Sequence, residues 1–299
     1  MSTLRFATCS WKFPSWKGLV YSAGDRINYL EEYAKRYRTV EIDQWFWSLF
    51  DTDSITLPKT ETVAEYLSSV DDDFRFTIKA PNSITLTHML RRRTERWTAP
   101  NPYFLSPQLF SDFLARIEPM RSRTACVILQ FEYLNKQKMS GVEELCERLD
   151  AFLGALPGHT DRWPLGIELR NQNYLTDTYF RTIARHDVPH VYCHGYHLPP
   201  AWEVYRKAQS SFGERMPGPG VIRLLGPDRS RIEAATGKRW DRIVAPKDEE
   251  LPRIVDMATD MVRRAIDVYV NVNNHYEGSA PLTIEKLERL VGTYTGNTV

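Results

Sequence analysis

Cysteine is scarce in this chain: Cys9, Cys126, Cys146 and Cys193 are the four present, and no two form a CxxC pair. Thiols so few and so scattered exclude a disulfide framework and point to free cysteines in a reducing cytoplasm. Net charge is equally scarce. Thirty-nine Lys and Arg oppose 38 Asp and Glu, a formal +1, so there is no global pull toward nucleic acid or membrane. No apolar run reaches the length of a membrane span, and MSTLRFATCSW shows no basic leader before a long apolar stretch. The expectation is a soluble cytoplasmic protein without a membrane partner. GxGxxG and GxxxxGK[ST] are both missing, which leaves dinucleotide and P-loop sites unsupported and predicts no cofactor. Seven histidines without HxH or HExxH spacing predict no dedicated metal cage.

What the chain does have is a series of short apolar runs that end in polar residues. VEID ends with Glu41 and Asp43, FRFTIK with Lys79, CVILQ with Gln130, and PLGIELR with Glu168 and Arg170. GVIRL holds Arg223, and YVNVNN holds Asn271 and Asn273. Each run is rich in β-branched residues and most lead through a loop into a helical pattern. The spacing predicts strands at 4–9, 39–43, 74–79, 125–130, 165–170, 190–194, 221–225 and 267–273. Helices are predicted at 26–37, 60–69, 108–120, 141–156, 176–186, 202–210, 249–265 and 283–291. Eight strands with helical returns predict an α/β fold, a TIM-barrel-like closed parallel (β/α) barrel, as a single domain over 1–299. A doubly wound open sheet is the alternative.

Strand residues two apart share a face. Glu41 therefore points with Asp43, Glu168 with Arg170, and Asn271 with Asn273. A helix layer is apolar, so the polar set should face the barrel interior near the carboxyl ends, where such folds keep their sites. One reading is a buried ion-pair network that fills the barrel. The other is an active site. There Glu168 is the acid/base and Glu41 a second carboxylate, while Lys79, Arg170 and Arg223 hold anionic groups. Gln130, Asn273 and Asn274 orient polar groups, and His88 and His194 join the binding set. Two carboxylates among cations suit hydrolase, isomerase or lyase chemistry on a small anionic or sugar-phosphate-like substrate. A second feature is the loop of His88, Arg91, Arg92, Arg93, Arg96 and Trp97. It suits phosphates or the bases of single-stranded nucleic acid, or it is a solvated loop. A non-catalytic ligand-binding barrel is the third possibility. The tryptophans of the first two loops, Trp11, Trp16, Trp45 and Trp47, read as loop packing before a stacking platform. Oligomeric state leaves no mark on the sequence.

The motifs ATCSWKFPSWKG, YLEEYAKRYRTVEID, FRFTIKAPNSITLTH, CVILQF, LGIELRNQNYL, VIRLLG and YVNVNNHYEGSAP follow one another along nearly the whole chain. In that order they resemble the YecE-like family, domain of unknown function 72. The resemblance implies a TIM-barrel-like fold with these motifs gathered at one end, and it implies no reaction. Two departures stand out. The family's second-strand motif commonly continues Ser-Thr-Phe-Tyr, where this chain has Gln44-Trp45-Phe46-Trp47. The usual Arg-Leu-His-Gly on the seventh strand is Arg223-Leu224-Leu225-Gly226 here, so no role resting on that histidine carries over.

Overall fold

The computed structural model describes residues 2–22, 24, 27–50, 54–89, 99–156, 163–213, 215–226 and 228–296. Its centre is a set of parallel strands: β1 (Leu4–Thr8), β2 (Thr39–Ile42), β3 (Arg75–Lys79), β4 (Thr124–Gln130), β5 (Leu165–Glu168), β6 (Val191–Gly195), β7 (Gly220–Gly226) and β8 (Val268–Val272). They form two four-stranded sheets, ordered β1-β8-β7-β6 and β2-β3-β4-β5. The continuous ladder expected from the sequence is thus divided. The sheet edges meet at two seams held by one bridge each, Cys9 with Glu41 and Ile167 with His190. At these seams Ser10 N donates to Glu41 O at 3.1 Å and Ile167 N to Pro189 O at 3.0 Å. Each seam includes a strand of only four residues, β2 or β5, which makes four pairs with its other neighbour.

Alternation along the strands separates two cores. Val40 and Ile42, Phe76 and Ile78, and Val127 and Leu129 pack in the large cluster shared with the helices. The residues between them face the other way, where Cys126, Ile128, Val191 and Val221 make a small cluster of their own. Toward the carboxyl ends this inner face turns polar. The helices supply the outer layer by three- and four-residue spacing. The helix Leu251–Arg263 buries Leu251, Ile254, Val255, Ala258 and Met261. Fully burying a Leu, Ile, Val or Met side chain of this face is worth about 1.5–3 kcal/mol. Thr176 caps the helix Asp177–Ala184, its hydroxyl accepting from Tyr179 N at 3.3 Å.

Several boundaries differ from expectation. The first helix spans Tyr29–Ala34, and the last runs longer, Ala280–Gly296. The 82–107 connection carries a helical turn at Asn82–Thr85 and a hairpin pairing His88–Met89 with Ala99–Pro100. A helix the apolar pattern missed, Arg229–Thr236, buries only Ile232 and Thr236. Its signals were the ends: Asp228 caps it, and Gly237 closes it in the left-handed region. None of the described helices is long and apolar enough to cross a membrane.

Two glycines shape the rim. The β6–β7 register shifts at His194/Gly195, and both strands end on positive-φ glycines, Gly195 (+127°) and Gly226 (+78°). A Cβ on Gly226 would lie 2.2 Å from His275 O, whereas one on Gly237 (φ +60°) would meet nothing within 4 Å. Gly226→Ala is therefore expected to cost about 2–4 kcal/mol, from backbone displacement added to left-handed strain. Gly237→Ala should cost about 1 kcal/mol, from strain alone. Urea unfolding of the two variants checks this, and equal losses would refute the close approach of the His275 loop.

Candidate active site at the carboxyl ends of the strands

Arg223, on β7, stands at the centre of the polar interior. Its Nε and Nη2 donate to the two oxygens of Glu41 at 2.7 and 2.6 Å. Its Nη1 donates to Glu168 Oε2 at 2.6 Å and to Gln130 Oε1 at 3.2 Å. Arg170 Nη2 lies 2.5 Å from the other Glu168 oxygen and donates to Gln130 at 3.3 Å. Asn271 Nδ2 donates to Glu41 Oε2 and to Thr77 Oγ1 at 3.0 and 2.9 Å. Glu41 and Glu168 are fully buried and Arg223 nearly so. Paired strand positions explain the convergence: Glu41 is level with Thr77, Gln130 with Glu168, and Arg223 with Asn271.

Charge decides what these groups can do. Burial pushes the Glu168 carboxyl up, but the guanidinium charges of Arg170 and Arg223 outweigh it and leave it at about 2. Arg223 is held well above its ordinary value, because Glu168 and Glu41 overcome its own desolvation. Burial, with the Glu41 charge adding to it, pushes the Cys9 thiol far up, which removes it as a thiolate nucleophile.

Lys79 and Asp43 are less engaged than this set. Lys79 shares the interior face with Thr77, two residues before it on β3. It is 8 % exposed, and among the described residues its ammonium has no hydrogen-bond or ion-pair partner. It lies 3.8 Å from the centre of the Phe46 ring. Burial and then the Arg223 charge lower its pKa, against the opposing pull of Glu41, Glu168 and Asp43. Asp43, just past β2, is only partly exposed. Burial and the Glu41 charge raise its pKa despite Lys79 and Arg223. Three further polar atoms, Arg170 Nε, Asn271 Oδ1 and Glu168 Oε1, are buried without a hydrogen-bond partner, the last of them facing Arg170 as an ion pair.

Of the residues singled out in the sequence, Glu41, Lys79, Gln130, Glu168, Arg170 and Arg223 come together. The others are engaged elsewhere. His194 Nε2 faces Glu250 at 2.8 Å while its Nδ1 accepts from Ala201 N at 3.3 Å. His88 pairs with Thr87 Oγ1 at 2.9 Å in its hairpin. Asn273 accepts from His275 N at 2.9 Å, and Asn274 accepts from Ala280 N at 2.9 Å at the start of the last helix. Arg91, Arg92, Arg93, Arg96 and Trp97 lie outside the described residues. Phe46 had no signal in the sequence beyond its place in an aromatic loop.

Trp16 is core, Trp47 is 68 % exposed, and Trp11 and Trp45 both pack on Tyr66. A cleft of about 810 Å³ beside the mouth is lined by Trp11, Lys12, Gln44 and Tyr66. Among the described residues no three His, Cys, Asp or Glu side chains are grouped as a metal site requires.

The family described as "Protein of unknown function DUF72" matches residues 5–298. The UPF0759 protein YecE of Escherichia coli K12 is 29% identical over 164 residues, 55% of this chain and 47% of that protein. The chain thus spans about half the length of the curated relatives it matches. A DUF72 family protein from Thermotoga maritima MSB8 shares the fold at 21% identity and a TM-score of 0.64, covering 97% of this chain and 99% of the other. A D-tagatose 3-epimerase-like protein shares it at 13% identity and a TM-score of 0.56, covering 99% and 100%.

Proposed function

The chain belongs to the DUF72 family, whose function is unknown, and from that premise we propose a cytoplasmic enzyme built as a single closed (β/α) barrel domain. Its substrate is a small anionic, sugar-phosphate-like molecule bound at the carboxyl ends of the strands. The observation that carries this reading is Lys79, a buried cation that meets the Phe46 ring but, among the described residues, has neither a counter-ion nor a hydrogen-bond partner. Burying an ammonium without a counterion is costly, and a purely structural interior would place Leu or Met there. Arg170, with its unengaged Nε, supplies a second contact for an anion.

The geometry favours some reaction classes over others. Glycoside hydrolysis needs two carboxyl groups free to flank a bond, whereas Glu41 and Glu168 are both held by Arg223. A carboxylate near 2 is also a poor base at neutral pH. We therefore assign Glu41 and Glu168 as positioning groups and give proton transfer to Asp43 and Lys79, whose surroundings move their pKa values toward neutrality from opposite sides. Such a pair suits isomerase or lyase chemistry next to a carbonyl, which the fold shared with an epimerase-like protein permits without specifying.

Lys79→Met tests the assignment twice. Its environment disfavours the ammonium on balance, so the variant should be as stable as wild type or about 1 kcal/mol more so. The carbonyl-free probe sn-glycerol 3-phosphate should stabilise the wild type, by about 2.7 kcal/mol at a hundred times its Kd, and leave the variant unmoved. Thermal unfolding measures both. A clearly destabilised variant, or no stabilisation of the wild type by any sugar phosphate, would count against an anion site at Lys79.

A further inference from the structure

We propose that the ε-amine of Lys79 is a nucleophile that condenses with the aldehyde or ketone carbon of the substrate to form an imine. This deepens the proposed function and rests on it, since it takes the substrate to be a carbonyl compound that also carries an anionic group.

The first support is what Lys79 does not do. Two of the three carboxylates whose charge acts on it are engaged elsewhere, since Arg223 holds both oxygens of Glu41 and one of Glu168 and Arg170 lies against the other; the third, Asp43, acts on it by charge without forming an ion pair among the described residues. Lys79 is thus the spare cation of the interior rather than half of an ion pair. An arginine or lysine kept only for charge would be expected to face one of these carboxylates. The second support is the ring over the amine. Phe46 is fixed there by backbone on both sides: Phe46 N donates to Asp43 O at 3.1 Å, and Asn82 N donates to Phe46 O at 2.7 Å. The Asn82 side chain also accepts from Ser48 N and Leu49 N. The loop after β2 is therefore clamped to the residues that follow Lys79, and it holds the Phe46 ring face against the nitrogen in cation–π geometry. The ring face itself attracts an ammonium, so its part is to hold the side chain in place; burial at 8 % exposure, without a counter-ion, is what favours the neutral amine, the form that attacks carbonyls. The lowered pKa of Lys79 agrees with this environment.

The step balances without another reactant. The neutral amine attacks the carbonyl carbon and a C–N bond forms. The C–O bond then breaks, and the oxygen leaves as water with the two amine protons. Asp43, next in register beyond the β2–β3 pairs, is placed to relay one of them to the departing oxygen. If the nitrogen of the imine takes up a proton, Asp43 or solvent supplies it. The resulting iminium withdraws electrons from the adjacent carbon, which is the activation an isomerase or lyase requires. Arg170 would hold the anionic substituent.

The test is reductive trapping on the whole chain with dihydroxyacetone phosphate as carbonyl probe, sn-glycerol 3-phosphate as its carbonyl-free counterpart, and borohydride. Intact mass should rise by one reduced dihydroxyacetone phosphate per chain. Peptide mapping should place it on Lys79, at least about tenfold above any other lysine. Lys79→Arg and Lys79→Met, each shown to be folded by circular dichroism, should lose the label. Thermal stabilisation by both probes with no mass gain on Lys79 would overturn the nucleophile and leave the anion site standing. No stabilisation by either probe and no mass gain would overturn both. Label spread over many lysines, and undiminished in Lys79→Met, would also overturn the imine.

Discussion

Arg223→Met should lower the folding stability by about 3–5 kcal/mol, the usual loss when one partner is removed from a buried ion pair. Methionine fills much of the same volume, so the loss is electrostatic rather than a cavity effect. Arg223 makes four hydrogen bonds to three side chains. Without it, Glu41 keeps only the Asn271 amide, and Glu168 keeps Arg170. Both carboxylates are fully buried, so each must remain charged at high cost or take up a proton. Arg223→Lys should recover only part of the loss, because one ammonium cannot serve two carboxylates as a planar fork does. Replacing the charges together, Arg223→Met with Glu41→Gln, Glu168→Leu and Arg170→Met, should recover much of it, since removing a whole buried network is far less costly than breaking one. Urea unfolding of the three variants measures these differences. A loss below about 1 kcal/mol for Arg223→Met would show that the network contributes little to folding.

The alternation of the strands made the centre of this network legible in the sequence. Glu41, Lys79, Gln130, Glu168, Arg170 and Arg223 sit at the ends of apolar runs, and period two sends them to one face. Where reading failed, it failed just past a strand or over a partner distant in sequence. Asn271 and Asn273 share a face in principle, yet β8 ends at Val272. Only Asn271 reaches Glu41, while Asn273 turns to His275. His194 stands inside β6, but the polar residue it meets, Glu250, is 56 positions away and lies in the loop before a helix. No local pattern announces such a partner. Phe46 was hidden for the same reason, because a loop has no period and its ring reaches Lys79 only through the clamp at Asn82. The division into two sheets turns on seams that make one bridge each, and pairing at strand ends is where sequence patterns are weakest.

Glu168→Gln should also be strongly destabilising, and its pH dependence should identify the cause. Glutamine keeps the shape of Glu168 and can still accept from Arg223, but it gives Arg170 no counter-charge. The drop of the Glu168 carboxyl from 4.5 to about 2 on folding corresponds to about 3 kcal/mol of stability. Because the folded pKa lies below the unfolded one, that contribution is complete above about 4.5 and is lost as the pH falls toward about 2. The amide of the variant has no proton to gain over that range. The gap between wild type and variant should therefore be widest at neutral pH and close progressively between pH 4.5 and 2, as followed by urea midpoints at each pH. A gap that stays constant down to pH 3 would mean that Glu168 is not held ionised by Arg170 and Arg223. A gap that instead widens as the pH falls from about 6 to 4.5 would mark a carboxyl whose folded pKa is raised and poised for proton transfer, and would return the proposed acid/base role from Asp43 to Glu168. Closure below 4.5 fits a carboxylate whose work is to hold two guanidinium groups in place, which leaves Lys79 and Asp43 as the interior groups free to meet a substrate.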